Sequence, residues 1–293
     1  MNLREYLVQQ QKLVDAELDR LVPPEMTPPE TIHRAMRYSL FAGGKRIRPI
    51  LCIEAAQTIS DATESVVAAA CSLELVHTYS LIHDDLPALD NDDYRRGKLT
   101  NHKVFGDAMA ILAGDSLLTL AFQVLGQLPV NDVRKTRMVV ELATAAGTVG
   151  GMIGGQVADL EGEGKTPNAE LLETIHRAKT GALLRASLRL GAIAAGAHDE
   201  QYGALSCYGE HVGLAFQIVD DILDVEESSE ALGKTAGKDA QQHKITFPAV
   251  YGLEASRRMA EEQCELAHQV LQPFGDHALR LHELADLIVR RKS

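Results

Sequence analysis

Two groups of aspartates, far apart in the chain, are the residues whose types and spacing are best suited to chemistry. HTYSLIHDDLPALDNDDYRRG carries Asp84, Asp85, Asp90, Asp92 and Asp93, and GLAFQIVDDILDV carries Asp220, Asp221 and Asp224. Each group follows directly on an apolar stretch. On a helix Asp220 and Asp224 lie one turn apart on one face, with Asp221 turned partly aside. Pro87 should end or distort the first helix and bring Asp90 round toward Asp84. Carboxylates at this density repel one another unless a cation lies between them. All-oxygen ligands suit Mg²⁺, which takes one or two carboxylates and completes its shell with water and phosphate oxygens. The expected substrate is therefore phosphorylated, and it needs basic partners. Gly43-Gly44-Lys45-Arg46-Ile47-Arg48-Pro49 offers three, Arg95 and Arg96 follow the first acidic group, and Lys179, Lys234, Lys238 and Lys244 lie near the second.

The elements that must hold these residues read as helix after helix. Runs rich in Ala, Leu and Glu recur, and alternating strand patterns are absent. Thr27-Pro28-Pro29-Glu30 and Asp61-Ala62-Thr63-Glu64 both have helix-capping spacing. The second opens VVAAACSLELVHTYSLIH, which is apolar on nearly every face and so belongs inside a bundle. Further helical runs cover about 104–126, 135–160, 169–196, 203–225, 246–272 and 277–291. Ala42-Gly43-Gly44 breaks a helix, 161–165 is a polar loop, and the polar segment 226–243 has the composition of a lid. Gly150, Gly151, Gly154 and Gly155 interrupt a helical run, where close helix packing is their expected role. With no composition shift, residues 1–293 read as one all-α domain, a large helical bundle.

Composition narrows the function. Asp plus Glu number 41 against 29 Lys plus Arg, a formal charge of −12, which disfavours nucleic acid and anionic lipid as partners. No apolar run approaches the roughly 20 residues of a membrane span, so no stable membrane insertion is expected. MNLREYLVQQ lacks the layout of a signal peptide. Cys52, Cys71, Cys207 and Cys264 are widely spaced in apolar helical contexts, without disulfide or zinc-motif spacing, and fit a reducing cytoplasm. Glu-x-x-His occurs at Glu74/His77, Glu173/His176 and Glu265/His268, the element of a di-iron bundle. That reading leaves both aspartate groups and the basic groups without a role. Nucleotide-binding glycine loops and a nucleophile elbow are missing.

Taken in order, GGKRIRP at 43–49, HDDLPALDNDDYRRG at 83–97, GDSLL at 114–118, GGQVADL at 154–160, KTG at 179–181, FQIVDDILD at 216–224 and GK…GKD…K at 233–244 resemble the trans-isoprenyl diphosphate synthases, most of all the bacterial farnesyl diphosphate synthases. The likeness spans almost the whole chain. Ser116 stands where Gly or Ala is commoner, and Phe247 where Tyr is. The resemblance implies an all-α homodimer with a deep central cavity, and head-to-tail coupling of isopentenyl diphosphate to dimethylallyl or geranyl diphosphate. It implies that Asp84 and Asp90 on one wall and Asp220 on the other hold three Mg²⁺ ions, supported by Asp85, Asp221 and Asp224. Arg95, Lys179, Lys234 and Lys244 would bind the allylic diphosphate, with Lys238 as the alternative to Lys244. Lys45, Arg48, His77 and Arg96 would bind the diphosphate of isopentenyl diphosphate. Thr180, Gln217 and the backbone near Lys179 would face the allylic cation. Tyr79, five residues before Asp84 and so about 7.5 Å down the helix axis, would floor the cavity, and Ser80 would leave room beside the diphosphate end. Geranylgeranyl and geranyl diphosphate synthases differ from this only in chain length. A silent partner subunit should have lost one aspartate group. A terpene cyclase should lack the Lys45/Arg48 group and carry a different second metal motif.

Overall fold

The computed structural model describes residues 1–60, 65–165, 168–226 and 245–290. The second capping sequence, 61–64, and the segment with Lys234, Lys238 and Lys244 lie outside the described residues, as does nearly all of the expected lid.

Amphipathic spacing fixes the outer helices. α1 (Leu3–Leu21) buries Tyr6, Gln10, Val14 and Leu18, one residue per turn on a single stripe, and Asn2 caps it by accepting the Glu5 N–H. α2 (Glu30–Leu40) starts later than the Thr27 cap implies. Pro29 is its N-cap residue, and the Thr27 carbonyl accepts from His33 Nδ1 at 2.7 Å. α3 (Ile47–Ile59) and α4 (Val66–Asp84) are apolar nearly all round and mostly buried. α4 packs against α1 and α3 and, later in the chain, against α6 (Asp107–Gly126) and α10 (Ala182–Ala195). A two-residue hairpin, β1 (Tyr94–Arg95) with β2 (Lys98–Leu99), then leads through α5 (Asn101–Phe105) into α6.

The run expected over 135–160 is two helices, α7 (Asp132–Ala146) and α8 (Met152–Gly162), because the chain turns at Gly147–Gly151, with Gly150 at φ +65°. α9 (Ala169–His176) passes into a π-helical turn, Arg177–Gly181, and then α10. α11 (Asp199–Glu226) carries the second acidic group at its C-terminal end. α12 (Phe247–Tyr251), α13 (Leu253–Val270), a 3₁₀ turn (Gln272–Ala278) and α14 (Leu279–Arg290) complete the bundle. One apolar cluster is built on α4, α6, α7 and α10, and a second on α3, α10, α11, α13 and α14.

α4 and α6, at 19 and 20 residues with mean hydropathy 1.3 and 1.7, are long and apolar enough to cross a membrane. This corrects the expectation that no segment reaches that length. Single polar residues such as Glu74 and Asp115 interrupt the run without lowering the average below that of a span. α4 uses its apolar surface inside the bundle, whereas α6 leaves Ile111 and Leu112 exposed. All four cysteines are free thiols, and Cys52, Cys71 and Cys264 are buried.

Candidate functional site

The acidic ends of α4 and α11 open on one cavity of about 240 Å³, lined by Asp84, Asp90 and Asp92 from one side and by Asp220, Asp221 and Asp224 from the other. α4 stops at Asp84, one turn before Pro87, and the chain folds back so that the Asp90 N–H donates to the Asp84 carbonyl at 2.8 Å. The expected return of Asp90 toward Asp84 is thus made by the backbone. Burial first, and then the neighbouring acids, push Asp84 up to about 6 against the pull of Lys179 and Arg95. Asp85 is buried and pairs with Arg95, which reaches it through Nε at 2.7 Å and Nη2 at 2.6 Å. Asp221 is also buried, accepting the Phe247 N–H at 2.9 Å. Asp93 points away and pairs with Lys103 at 2.7 Å. Acids from two helix ends, more numerous than the cations beside them and all offering oxygen, form a donor set that fits Mg²⁺.

Lys179 and Thr180 line this cavity from the π-helical turn. Gly155 of α8 permits that placement, since a Cβ there would lie 2.2 Å from the Lys179 backbone nitrogen. Lys179 Nζ pairs with Asp159 Oδ2 at 2.7 Å. Asp159 lies in GGQVADL, where no role was expected of it. The larger omission is His176. It is buried between the acidic cavity and α12, with Nδ1 2.9 Å from Gln217 Oε1 and Nε2 3.2 Å from Asp221 Oδ2. Burial opposes charge on this ring, but Asp221 and Gln217 outweigh it and hold His176 above the ordinary histidine range. The only signal in the sequence was Glu173-x-x-His176, and Glu173 turns out to be an exposed partner of Arg177.

The basic residues gather on the far side of α4. Lys45, Arg48, His77 and Arg96 all line a second cavity of about 890 Å³, whose opposite wall includes Leu287 and Ile288 of α14. Burial pulls the Arg48 and Arg96 guanidinium groups below their ordinary range, and Arg48 Nε is buried without a hydrogen-bond partner. Both features suit an anion. His77 is driven well below the usual histidine range by burial and then by Arg48, Arg96, Arg95 and Arg46, so it is neutral and donates through one ring N–H. Gly44, at φ +132°, makes room for Arg96, whose guanidinium carbon would lie 2.8 Å from a Cβ there. Arg46, the third cation of GGKRIR, turns inward instead. At φ 51° it pairs with Asp15 at 2.8 Å and Glu74 at 2.7 Å and donates to the Leu40 carbonyl. The three Glu-x-x-His pairs do not converge, and the di-iron arrangement fails.

Arg48, His77 and Arg96 also line a cavity of about 610 Å³ that runs from Asp84, Lys179 and Asp220 down to Tyr79 and Ser80, with Met152, Ile153 and Val157 along α8. Tyr79 is buried and meets His83 edge-on, ring centroids 5.4 Å apart. His83 is wedged in turn, with Nε2 3.0 Å from the Ile111 carbonyl and no room for a Cβ on Gly114. Gly114 belongs to GDSLL, so that segment backs the cavity floor.

Residues 29–277 match the family model for polyprenyl synthetase. The chain is 49% identical to a dimethylallyltranstransferase of Fischerella ambigua over 99% of its own length and 84% of the relative's. It is 49% identical to the large subunit 1 of a chloroplastic heterodimeric geranylgeranyl pyrophosphate synthase of Arabidopsis thaliana, over 98% and 79%. Among solved structures, an FPP/GFPP synthase from Zymomonas mobilis superposes with a TM-score of 0.88 at 35% identity, covering 98% of this chain and 99% of that one.

Proposed function

The chain belongs to the polyprenyl synthetase family and is a prenyltransferase, and on that premise we propose that it condenses isopentenyl diphosphate with dimethylallyl or geranyl diphosphate and stops at (2E,6E)-farnesyl diphosphate. The observation that carries this reading is the pairing of an acidic cavity with a cationic one across the end of α4, joined by an apolar channel with an aromatic floor. Asp84, Asp90 and Asp220 would hold Mg²⁺, three ions with substrate bound, and the chemistry it supplies is neutralisation of the departing diphosphate. Arg95 and Lys179 bind the same allylic diphosphate, with Lys234 and Lys244 from the segment beyond α11. Lys45, Arg48, His77 and Arg96 hold the second diphosphate, so that the isopentenyl double bond meets the allylic carbon. Thr180, Gln217 and the backbone near Lys179 face the allylic cation with dipoles that do not attack it. The leaving diphosphate takes the final proton, so no side-chain base is needed.

We read residues 1–293 as one domain acting as a homodimer in the cytoplasm, with neither nucleic acid nor a membrane as partner. Exposed Ile111 and Leu112 on α6 and Val140 on α7 support the homodimer as an apolar surface for a second copy. The test of function is incubation with isopentenyl and dimethylallyl diphosphates, with Mg²⁺ or EDTA, reading alcohol chain length after dephosphorylation. A metal-dependent C15 alcohol is expected. A C20 product would favour the second reading, a geranylgeranyl diphosphate synthase, which the name of the Arabidopsis relative supports. No elongation from either allylic starter would defeat the assignment.

His176 is a positioning residue in this scheme. His176→Asn is expected to lower kcat by roughly 10-fold or more with little change in either substrate KM, because Gln217 and Asp221 lose their common partner. A shifted KM with unchanged kcat would reject that role.

A further inference from the structure

Away from both cavities, α13 and α14 face each other with two pairs of metal-ligating side chains at one-turn spacing: Cys264 and His268 on α13, His282 and Asp286 on α14. Cys264 Sγ lies 3.6 Å from His268 Nε2 and 3.7 Å from Asp286 Oδ1, and Nε2 is 3.0 Å from Oδ1. Zinc bonds of about 2.3 Å to sulfur and about 2.0–2.1 Å to nitrogen or oxygen give tetrahedral edges of about 3.5 Å between sulfur and either partner and about 3.3 Å between nitrogen and oxygen. The three separations follow that pattern, and the two longer ones involve sulfur. His268 Nδ1 is 2.6 Å from His282 Nδ1, the ring planes are 14° apart and the centroids 4.9 Å apart, which sets the rings edge to edge. Only one of these nitrogens can carry the proton. A metal on His268 Nε2 requires it on His268 Nδ1, donating to His282, which is the outer hydrogen bond that orients metal-bound histidines.

We propose that Cys264, His268 and Asp286 form a site for Zn²⁺, oriented by His282, that clamps α14 to α13. One thiolate, one imidazole and one carboxylate select a borderline-soft tetrahedral ion over Mg²⁺, and solvent takes the fourth position. Binding exchanges the Sγ proton for the metal. Asp286 directly precedes Leu287 and Ile288, which line the cationic cavity, so the clamp steadies that wall.

The test is a Co²⁺ titration of the reduced, chelator-treated full chain. One equivalent should give thiolate-to-cobalt charge transfer with the intense visible bands of tetrahedral Co²⁺, and Zn²⁺ should displace it. Cys264→Ser should abolish the charge transfer, Cys207→Ser should leave it unchanged, and His282→Phe should weaken Co²⁺ binding about 10–100-fold. Should Cys264→Ser fail to fold, His268→Gln replaces it, with loss of the tetrahedral bands expected. Absence of charge transfer in the wild type, or its persistence in Cys264→Ser, overturns the proposal. The acidic cavity has no sulfur in its lining, so neither outcome depends on prenyl transfer.

Discussion

Asp84→Asn is expected to lower kcat/KM by about 10²–10³-fold while leaving the fold intact. The substitution keeps the volume of a side chain at the C-terminal end of α4 and removes one negative charge from the acidic cavity. If the carboxylate holds a cation, what is lost is stabilisation of charge that develops as the C–O bond breaks, so the effect falls on the chemical step. The paired control is Asp93→Asn. Asp93 belongs to the same acidic stretch, but it is exposed and engaged by Lys103, so its variant should turn over like the wild type. Steady-state kinetics at several Mg²⁺ concentrations separate the two. Equal losses in both variants would mean that the stretch acts only through its overall charge. The elevated Asp84 adds a pH signature. Protons compete with the cation as pH falls through about 6, so the Mg²⁺ concentration for half-maximal rate should rise below that pH in the wild type. Asp84→Asn should lack that rise.

Tyr79→Ala should move the main product from C15 to C20 or longer, and Ser80→Phe should move it down to C10. Tyr79 lines the channel one turn and a residue below Asp84, and its ring is held edge-on by His83. His83 is itself confined by the Ile111 carbonyl and Gly114. A ring backed in this way cannot swing aside for another isoprene unit, and truncation to Ala removes the obstruction. Ser80 lines the same channel nearer the diphosphate end, where a phenyl ring would stop the tail earlier. Product chromatography after dephosphorylation decides. If both variants keep the wild-type length, the floor lies elsewhere, with Met152 of α8 the next candidate. Because length alone separates this proposal from the geranylgeranyl alternative, the wild-type product and these two variants belong in one experiment.

The α class, the burial of α4 and the meeting of Asp90 with Asp84 were legible in the sequence because their causes are local. Helical period, proline and glycine positions and residue type act over one or two turns. The two acidic groups could be paired because opposing carboxylates need a shared cation wherever they meet. Their meeting at one cavity, and the gathering of Lys45, Arg48, His77 and Arg96 at another, needed α10, which packs on both α4 and α11, and the hairpin after Asp93. Local pattern was also insufficient where Gly147–Gly151 divides α7 from α8, since a helix-compatible composition does not show that the next turn must pack on α9 and the π-helical turn.

Residue chemistry by itself determined which atoms could bind a dication or a diphosphate, because charge and donor type belong to the side chain alone. Tertiary structure decided which of them face a shared cavity. Arg46 and Arg48 are two residues apart, yet a left-handed backbone at Arg46 sends one into the core with Glu74 and leaves the other facing a cavity. His176 is held above the ordinary histidine range by Asp221 and Gln217, more than forty positions along the chain, and Lys179 is aimed by Asp159 across a glycine that admits the π-helical turn. Cys264 and His268 have the spacing of any two residues one turn apart until α14 brings Asp286 against them. A helix repeat shows which residues share a face, but the partner that face meets lies at long range, and only the packed fold supplies it.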